Sequence, residues 1–109
     1  MDRNGLSELQ LQIILRILAP FAGQIEQVGL FGSRATGRYR ENSDIDMVLY
    51  GTLDEKTIDR IYTLLNESAL SINVDLKSYR HITHNRFKAH IDEAMRPLFS
   101  HQQLCNYHQ

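Results

Sequence analysis

Two segments carry most of the information on the fold: Val28-Gly-Leu-Phe-Gly-Ser-Arg34 and, after a polar loop, Ser43-Asp-Ile-Asp-Met-Val48. Residues 24–31 are rich in β-branched and aromatic side chains and predict a strand that ends at Gly32-Ser33. Residues 44–50 predict a second strand that begins with acidic and apolar residues in alternation. The sequence therefore predicts two strands whose polar ends carry the residues most suited to chemistry.

Asp44 and Asp46 lie two residues apart on the second predicted strand. Side chains at this spacing point to the same face of a strand, about 6–7 Å apart, while Ile45 and Met47 point to the other face. Two buried carboxylates without partners would be costly, so these aspartates require solvent, cations or a metal. Their hard oxygen atoms suit Mg²⁺ or Mn²⁺.

Asp75 repeats this pattern on a third predicted strand, residues 71–79, between the core residues Val74 and Leu76. If this strand pairs beside the second at the usual spacing of about 4.8 Å, Asp75 joins the same face. Three carboxylates in such a cluster can hold two divalent ions about 3.5–4 Å apart. Lys77 shares the face of Asp75, and either contact with a phosphate or an ion pair with Asp75 is compatible with its position.

The turn Gly32-Ser33 has the features of a phosphate-binding site. Gly32 has no Cβ, so a phosphate can approach its backbone, and Ser33 offers a hydroxyl and a backbone N–H. We expect Ser33 to cap one helical turn. Arg34, together with Arg38 and Arg40, could neutralise phosphate or contact an acidic partner.

The flanking pattern predicts helices over residues 8–21, 54–68 and 84–95, and a short last strand at Leu98–Phe99. Capping boxes are expected at Ser7/Gln10 and Thr52/Glu55, and Tyr62 is counted among the periodic apolar residues of the second helix. The order of elements indicates an α+β fold, with a small mixed β-sheet, helices packed on one face and the other face open. Residues 101–109 are expected to form a polar, loose tail.

Composition limits the class of protein. The chain has 109 residues, of which 42% are hydrophobic and 23% charged, and a net charge of −1. We therefore expect a single domain over residues 1–109, with its core at about 8–100, and no direct binding of nucleic acid. No segment resembles a signal peptide or a membrane span, and the single cysteine, Cys105, excludes an internal disulfide. A cytoplasmic location is the simplest expectation.

The sequence resembles the polymerase-β nucleotidyltransferase superfamily. The resemblance lies in a Gly-Ser pair that is followed, after about ten residues, by Asp-x-Asp and then by an aspartate on a later strand. Two segments, Gly32-Ser-Arg-Ala-Thr-Gly37 and Ser43-Asp-Ile-Asp46, are similar in sequence to the minimal nucleotidyltransferases. These are single-domain proteins, many of them antitoxin subunits paired with HEPN-domain toxins. The resemblance covers about residues 8–100 and implies the polymerase-β-like nucleotidyltransferase fold.

The resemblance also implies a role for each motif residue. Gly32 and Ser33, with Arg34 beside them, would bind the nucleotide phosphates, and Asp44, Asp46 and Asp75 would be the catalytic residues and the metal ligands. Two Mg²⁺ ions, or Mn²⁺, would act as cofactors and ATP as the substrate. The expected activity is the transfer of AMP to a tyrosine hydroxyl of a HEPN toxin, the reaction of type VII antitoxins.

Two other functions remain open at this point. The chain could neutralise a toxin by binding alone, with a nucleotide site that is not catalytic. It could also transfer a nucleotide to a small molecule of the aminoglycoside type, although one domain offers no second wall for such an acceptor unless a homo- or hetero-oligomer supplies it.

Overall fold

The computed structural model describes residues 4–107, which form a four-stranded sheet and five α-helices. In chain order the elements are α1 (Glu8–Leu18), a 3₁₀ segment (Ala19–Gln24), β1 (Ile25–Phe31), α2 (Ser33–Thr36), β2 (Ile45–Gly51), α3 (Glu55–Asn66), β3 (Val74–Ser78), a 3₁₀ turn (Tyr79–His81), α4 (Asn85–Ala94), β4 (Arg96–Ser100) and α5 (His101–Cys105). No helix within residues 4–107 has the length and apolar character needed to cross a bilayer.

The strands lie in the order β3-β2-β1-β4. β1 pairs antiparallel with both β2 and β4, whereas β2 and β3 run parallel. The sheet is therefore mixed, and the predicted α+β class is confirmed. The parallel pair requires a crossover, which α3 supplies.

One face of the sheet carries the main core. Helices α1, α3 and α5 cover this face, and their buried side chains pack on alternate strand residues of β1, β2 and β3. The helical members of this cluster are Ile13, Ile14, Leu18, Ile61, Leu65 and Leu104. Fully buried aliphatic side chains of this kind each stabilise the fold by about 1.5–3 kcal/mol.

The opposite face is less open than the sequence suggests, because α4 covers part of it. Ile91 of α4 packs against Phe31 and Val48, with Phe87 and Met95 at the margin of the same cluster. The rings of Phe31 and Phe87 meet edge to face with their centroids 5.8 Å apart. The part of this face near the start of β2 and β3, where Asp46 and Asp75 lie, remains accessible.

Gly29 makes this covering possible. A Cβ built at Gly29 would lie 2.6 Å from Cγ of Met95, so any larger residue would push away the chain that follows α4. The apolar spacing of residues 87–95 predicted the helix correctly, but it contains no information on which face of the sheet the helix would cover.

Helix boundaries follow local chemistry. The Ser7/Gln10 capping box is present, but α1 ends at Leu18 instead of residue 21, because Pro20 lacks the N–H that would continue the hydrogen-bond ladder. The expected Thr52/Glu55 box is wrong. Asp54 caps α3 instead, accepting a hydrogen bond from the Thr57 N–H at 2.8 Å.

The expectation of a loose tail is also wrong for residues 101–107. Ser100 and Gln103 form a capping box that starts α5, and the helix buries Leu104 in the main core. A single apolar residue in a polar segment gave too little periodicity to predict this helix. Residues 108 and 109 lie outside the described part of the chain.

Candidate active site

Gly32 forms a tight turn directly after β1. Its φ of +71° lies in the region that favours glycine, and a Cβ at this position would stand 2.1 Å from Oδ2 of Asp46. The turn therefore lies directly against the Asp46 carboxylate, an approach that no other residue type permits.

Ser33 is the first residue of α2 and not its cap, because Gly32 occupies the cap position and no side-chain cap hydrogen bond is formed. The N–H groups of Ala35 and Thr36 turn back to the Gly32 carbonyl oxygen. The Ser33 hydroxyl is thus not used in capping, and the first N–H groups of a helix have no partner within it. Gly32 and Ser33 keep the features predicted for phosphate binding.

Arg34 does not fit the nucleotide-binding role predicted for it. Its side chain is only 2% exposed, and its guanidinium donates hydrogen bonds to three backbone carbonyl oxygens. Nη1 donates to Asn4 at 2.8 Å, while Nη2 donates to Ser43 at 2.9 Å and to Glu41 at 3.3 Å. Burial lowers the pKa of this guanidinium. Arg34 therefore holds the loop that leads to Asp44, and its charge is directed into the protein.

The three predicted carboxylates come together on the uncovered part of the sheet. Asp44 directly precedes β2, Asp46 lies within it, and Asp46 is the register partner of Asp75 on β3. All three line one polar pocket, the acidic pocket, whose other lining residues are Tyr62, Asn66, Asn73 and Val74. The expected juxtaposition is therefore present, whereas the catalytic roles of these residues remain predictions.

In the acidic pocket, three carboxylates outnumber the nearby cationic side chain of Lys77. Partial burial raises the pKa of Asp46, and the nearby charges of Asp75 and then Asp44 raise it further, while Lys77 opposes this effect. Nζ of Lys77 lies 3.5 Å from Oδ1 of Asp75, and both side chains are largely exposed. Of the two positions left open for Lys77, the ion pair with Asp75 is the one observed.

The residues fit a divalent cation in donor chemistry. Carboxylate oxygens are hard ligands, and the repulsion that raises the pKa of Asp46 is what a bound cation would relieve. Within residues 4–107, however, no three acidic, imidazole or thiol side chains already stand as a ready coordination group. The carboxylates would therefore have to turn inward to surround an ion.

Sequence reasoning missed the rest of the pocket wall. Tyr62 was counted with the apolar face of α3, yet its side chain is 48% exposed. The Asn66 side chain accepts a hydrogen bond from the Val74 N–H at 2.9 Å and donates one to the Val74 carbonyl oxygen at 3.0 Å. A polar residue at the end of a helix four positions after a tyrosine carries no pattern that predicts this contact.

Comparison with known proteins agrees with this geometry. The family model described as "Polymerase beta, Nucleotidyltransferase" matches residues 12–104. The chain belongs to this nucleotidyltransferase family. The match spans residues 12–104 and therefore includes every predicted site residue.

One relative by sequence is the Methanocaldococcus jannaschii protein named "Putative protein adenylyltransferase MJ0604". It is 34% identical over 68 residues, which are 62% of this chain and 68% of the relative. The family and this relative identify the chain as a nucleotidyltransferase.

Two solved structures show the same fold. A toxin–antitoxin structure with AMP-PNP superposes with a TM-score of 0.69 at 26% identity, covering 85% of this chain and 75% of the other. A complex of a tri-AMPylated Shewanella oneidensis HEPN toxin with an MNT antitoxin gives a TM-score of 0.65 at 23% identity, covering 88% and 74%. The second likeness establishes the fold alone.

Proposed function

We propose that this nucleotidyltransferase transfers AMP from ATP to a tyrosine hydroxyl of a HEPN-domain toxin and thereby acts as its antitoxin. The observation that carries the proposal is the placement of Asp44, Asp46 and Asp75 in one pocket beside the Gly32 turn. The similarity to a protein adenylyltransferase and to a toxin–antitoxin structure with AMP-PNP supports the choice of ATP and of a protein acceptor. We expect the reaction to take place in the cytoplasm, where ATP is available.

Asp44, Asp46 and Asp75 are the residues that would hold Mg²⁺ ions. When bound, such ions neutralise phosphate charge and lower the pKa of an attacking hydroxyl. The remaining contributions come from the chain's own residues.

The Gly32 turn would bind the triphosphate through the first backbone N–H groups of α2 and the Ser33 hydroxyl, which makes no capping hydrogen bond, and Gly32 itself lies against Asp46. This would direct the α-phosphorus toward the acidic pocket. The acceptor oxygen then bonds to the α-phosphorus, the bond between that phosphorus and the oxygen bridging to the β-phosphorus breaks, and pyrophosphate leaves. Asp75, whose side chain is 49% accessible, would receive the hydroxyl proton.

The test is incubation of the protein with ATP labelled on the α-phosphate, Mg²⁺ and a HEPN-domain protein encoded beside it. We expect the wild type to transfer label to a tyrosine of the HEPN protein. Asp46→Asn should lower transfer about 10²–10⁴-fold, because an ion site of this kind stabilises the transition state by several kcal/mol. Asp59→Asn, an exposed change on α3 that does not line the acidic pocket, is the matched control and should transfer like the wild type.

Replacing ATP by GTP, CTP or UTP in the same assay tests the nucleotide. If the wild type transfers no label from ATP to the HEPN protein, the proposal is contradicted. If Asp46→Asn still protects cells from the toxin as well as the wild type, neutralisation occurs by binding alone.

A further inference from the structure

The Asp46 carboxylate has different surroundings on the side of β1 and on the side of β3. On the side of β1, Gly32 is packed against Asp46. On the side of β3, the acidic pocket opens between Asp75 and α3 and does not include the Gly32 turn. Given the strand order β3-β2-β1, a group bound at Gly32 and a group bound in the acidic pocket approach Asp46 from opposite directions.

Tyr62 is the one aromatic residue in the wall of the acidic pocket. Ile61, the preceding residue, and Leu65, one turn later, are fully buried and anchor α3 in the core. Tyr62 lies on a different face of this helix and is 48% exposed. A phenol ring left this exposed contributes little to the core. It does present an apolar surface beside a group of carboxylates.

Hydrogen bonds tie the helical turn that carries Tyr62 to the strand that carries Asp75. The Asn66 side chain binds both the N–H and the carbonyl oxygen of Val74, the residue before Asp75, and its amide also donates to the Tyr62 carbonyl oxygen at 3.0 Å. One amide therefore connects the helical turn that carries Tyr62 to the strand that carries Asp75. An incoming side chain that contacts Tyr62 would therefore lie in the same pocket as Asp75.

We infer that the acidic pocket receives the acceptor tyrosine and that Tyr62 is the residue that positions it, by packing its ring against the incoming aromatic ring. This inference rests on the proposed function and names the acceptor side of that same site. Aromatic pairs gain free energy beyond simple burial, and an aromatic contact selects tyrosine over serine or threonine acceptors. The Asn73 side chain, exposed at the pocket rim, offers hydrogen bonds to the polar backbone around that tyrosine.

The experiment measures KM separately for the HEPN protein and for ATP in the labelled-transfer assay. Tyr62→Ala should raise the KM for the HEPN protein about 3- to 10-fold and leave the KM for ATP unchanged. Tyr62→Phe keeps the ring and should restore the wild-type KM. Leu64→Ala, which removes another exposed apolar side chain of α3 outside the pocket, is the matched control and should behave as the wild type. Thermal unfolding of each variant establishes that the fold is intact.

Other outcomes overturn the inference. If Tyr62→Ala matches Leu64→Ala in both KM values while the wild type transfers AMP, Tyr62 does not position the acceptor and the proposed function survives. A rise only in the KM for ATP assigns Tyr62 to the nucleotide instead. A mass increase of one AMP on Tyr62 itself makes it an acceptor and not a positioning residue. Absence of transfer by the wild type overturns the proposed function together with this inference.

Discussion

The two parts of one sheet face behave in opposite ways, although they share strands. Asp46 and Val48 are two residues apart on β2 and point to the same side, yet Val48 is fully buried under Ile91 of α4, whereas Asp46 borders the open acidic pocket. The difference arises from what covers each position and not from the strand itself. Helix α4 covers the apolar part of this face and leaves the carboxylates of the acidic pocket accessible.

Gly32 lies against the acidic part of this face, and its replacement should strongly reduce AMP transfer. Gly32→Ala places a methyl group on the Asp46 carboxylate and also strains a residue with positive φ. We expect AMP transfer to fall by about 100-fold, in line with the loss of one phosphate-binding group. Gly37→Ala has the same backbone strain at φ +83° but meets no atom within 4 Å, so it should reduce only thermal stability. Equal activities of the two variants would refute the close contact with Asp46.

Removing the cover on the apolar part should reduce stability. Ile91→Ala deletes a fully buried side chain of α4 and should lower the free energy of unfolding by about 2–5 kcal/mol, as measured by urea denaturation. Ala94→Gly, a smaller change at a half-buried position near the end of the same helix, should cost about 1 kcal/mol at most. A similar loss in both variants would show that α4 is not anchored through Ile91.

Arg34 should affect stability more than nucleotide affinity. Arg34→Lys cannot reproduce the hydrogen bonds to Asn4, Glu41 and Ser43, so we expect a loss of about 1–3 kcal/mol in unfolding free energy and a lower kcat. The KM for ATP should stay close to that of the wild type. Arg38→Lys, at an exposed position of the same loop, is the control for stability. A selective rise in the KM for ATP would instead return Arg34 to the phosphate site.

The smallest expected effect is a pH dependence at the edge of the covered part. The Tyr79 hydroxyl donates a hydrogen bond to Oδ1 of Asp92 at 2.6 Å, which raises the pKa of Tyr79 to about 12 from the usual 10.0. Since folding favours the neutral phenol, the stability from this contact is fully present below pH 10 and is lost as the pH rises through about 12. Ultraviolet titration of phenolate should therefore show late ionisation of Tyr79, and Asp92→Asn should move that transition to lower pH.

Much of the candidate site follows from residue alternation. Asp44 and Asp46 share a face because strand side chains alternate, and Asp75 joins them because it alternates with Val74 and Leu76 in the same way. The Ser7/Gln10 capping box was predictable because it depends on residues close together in sequence, whereas the approach of Asp75 to Asp46 also requires the pairing of β2 with β3.

The features that sequence analysis missed depend on distant contacts. Burial of Arg34 requires the carbonyl group of Asn4, thirty residues earlier, and exposure of Tyr62 depends on how α3 is seated against β3. The covering of one sheet face by α4 is likewise a tertiary choice that helical periodicity does not encode. Local patterns indicated which residues could act, and packing determined which of them face the pocket.

The hydrogen bonds between Asn66 and Val74 have a consequence for the alignment of the acidic residues. Side chains of a strand alternate, so a slip of β3 by a single residue would turn Asp75 toward the buried core and bring an aliphatic side chain beside Asp46. The side-chain amide of Asn66 forms hydrogen bonds with both backbone polar groups of Val74, the first residue of β3. These bonds favour the observed register of the strand. Asn66, which has no catalytic role in the proposed reaction, thus helps to keep Asp75 beside Asp46.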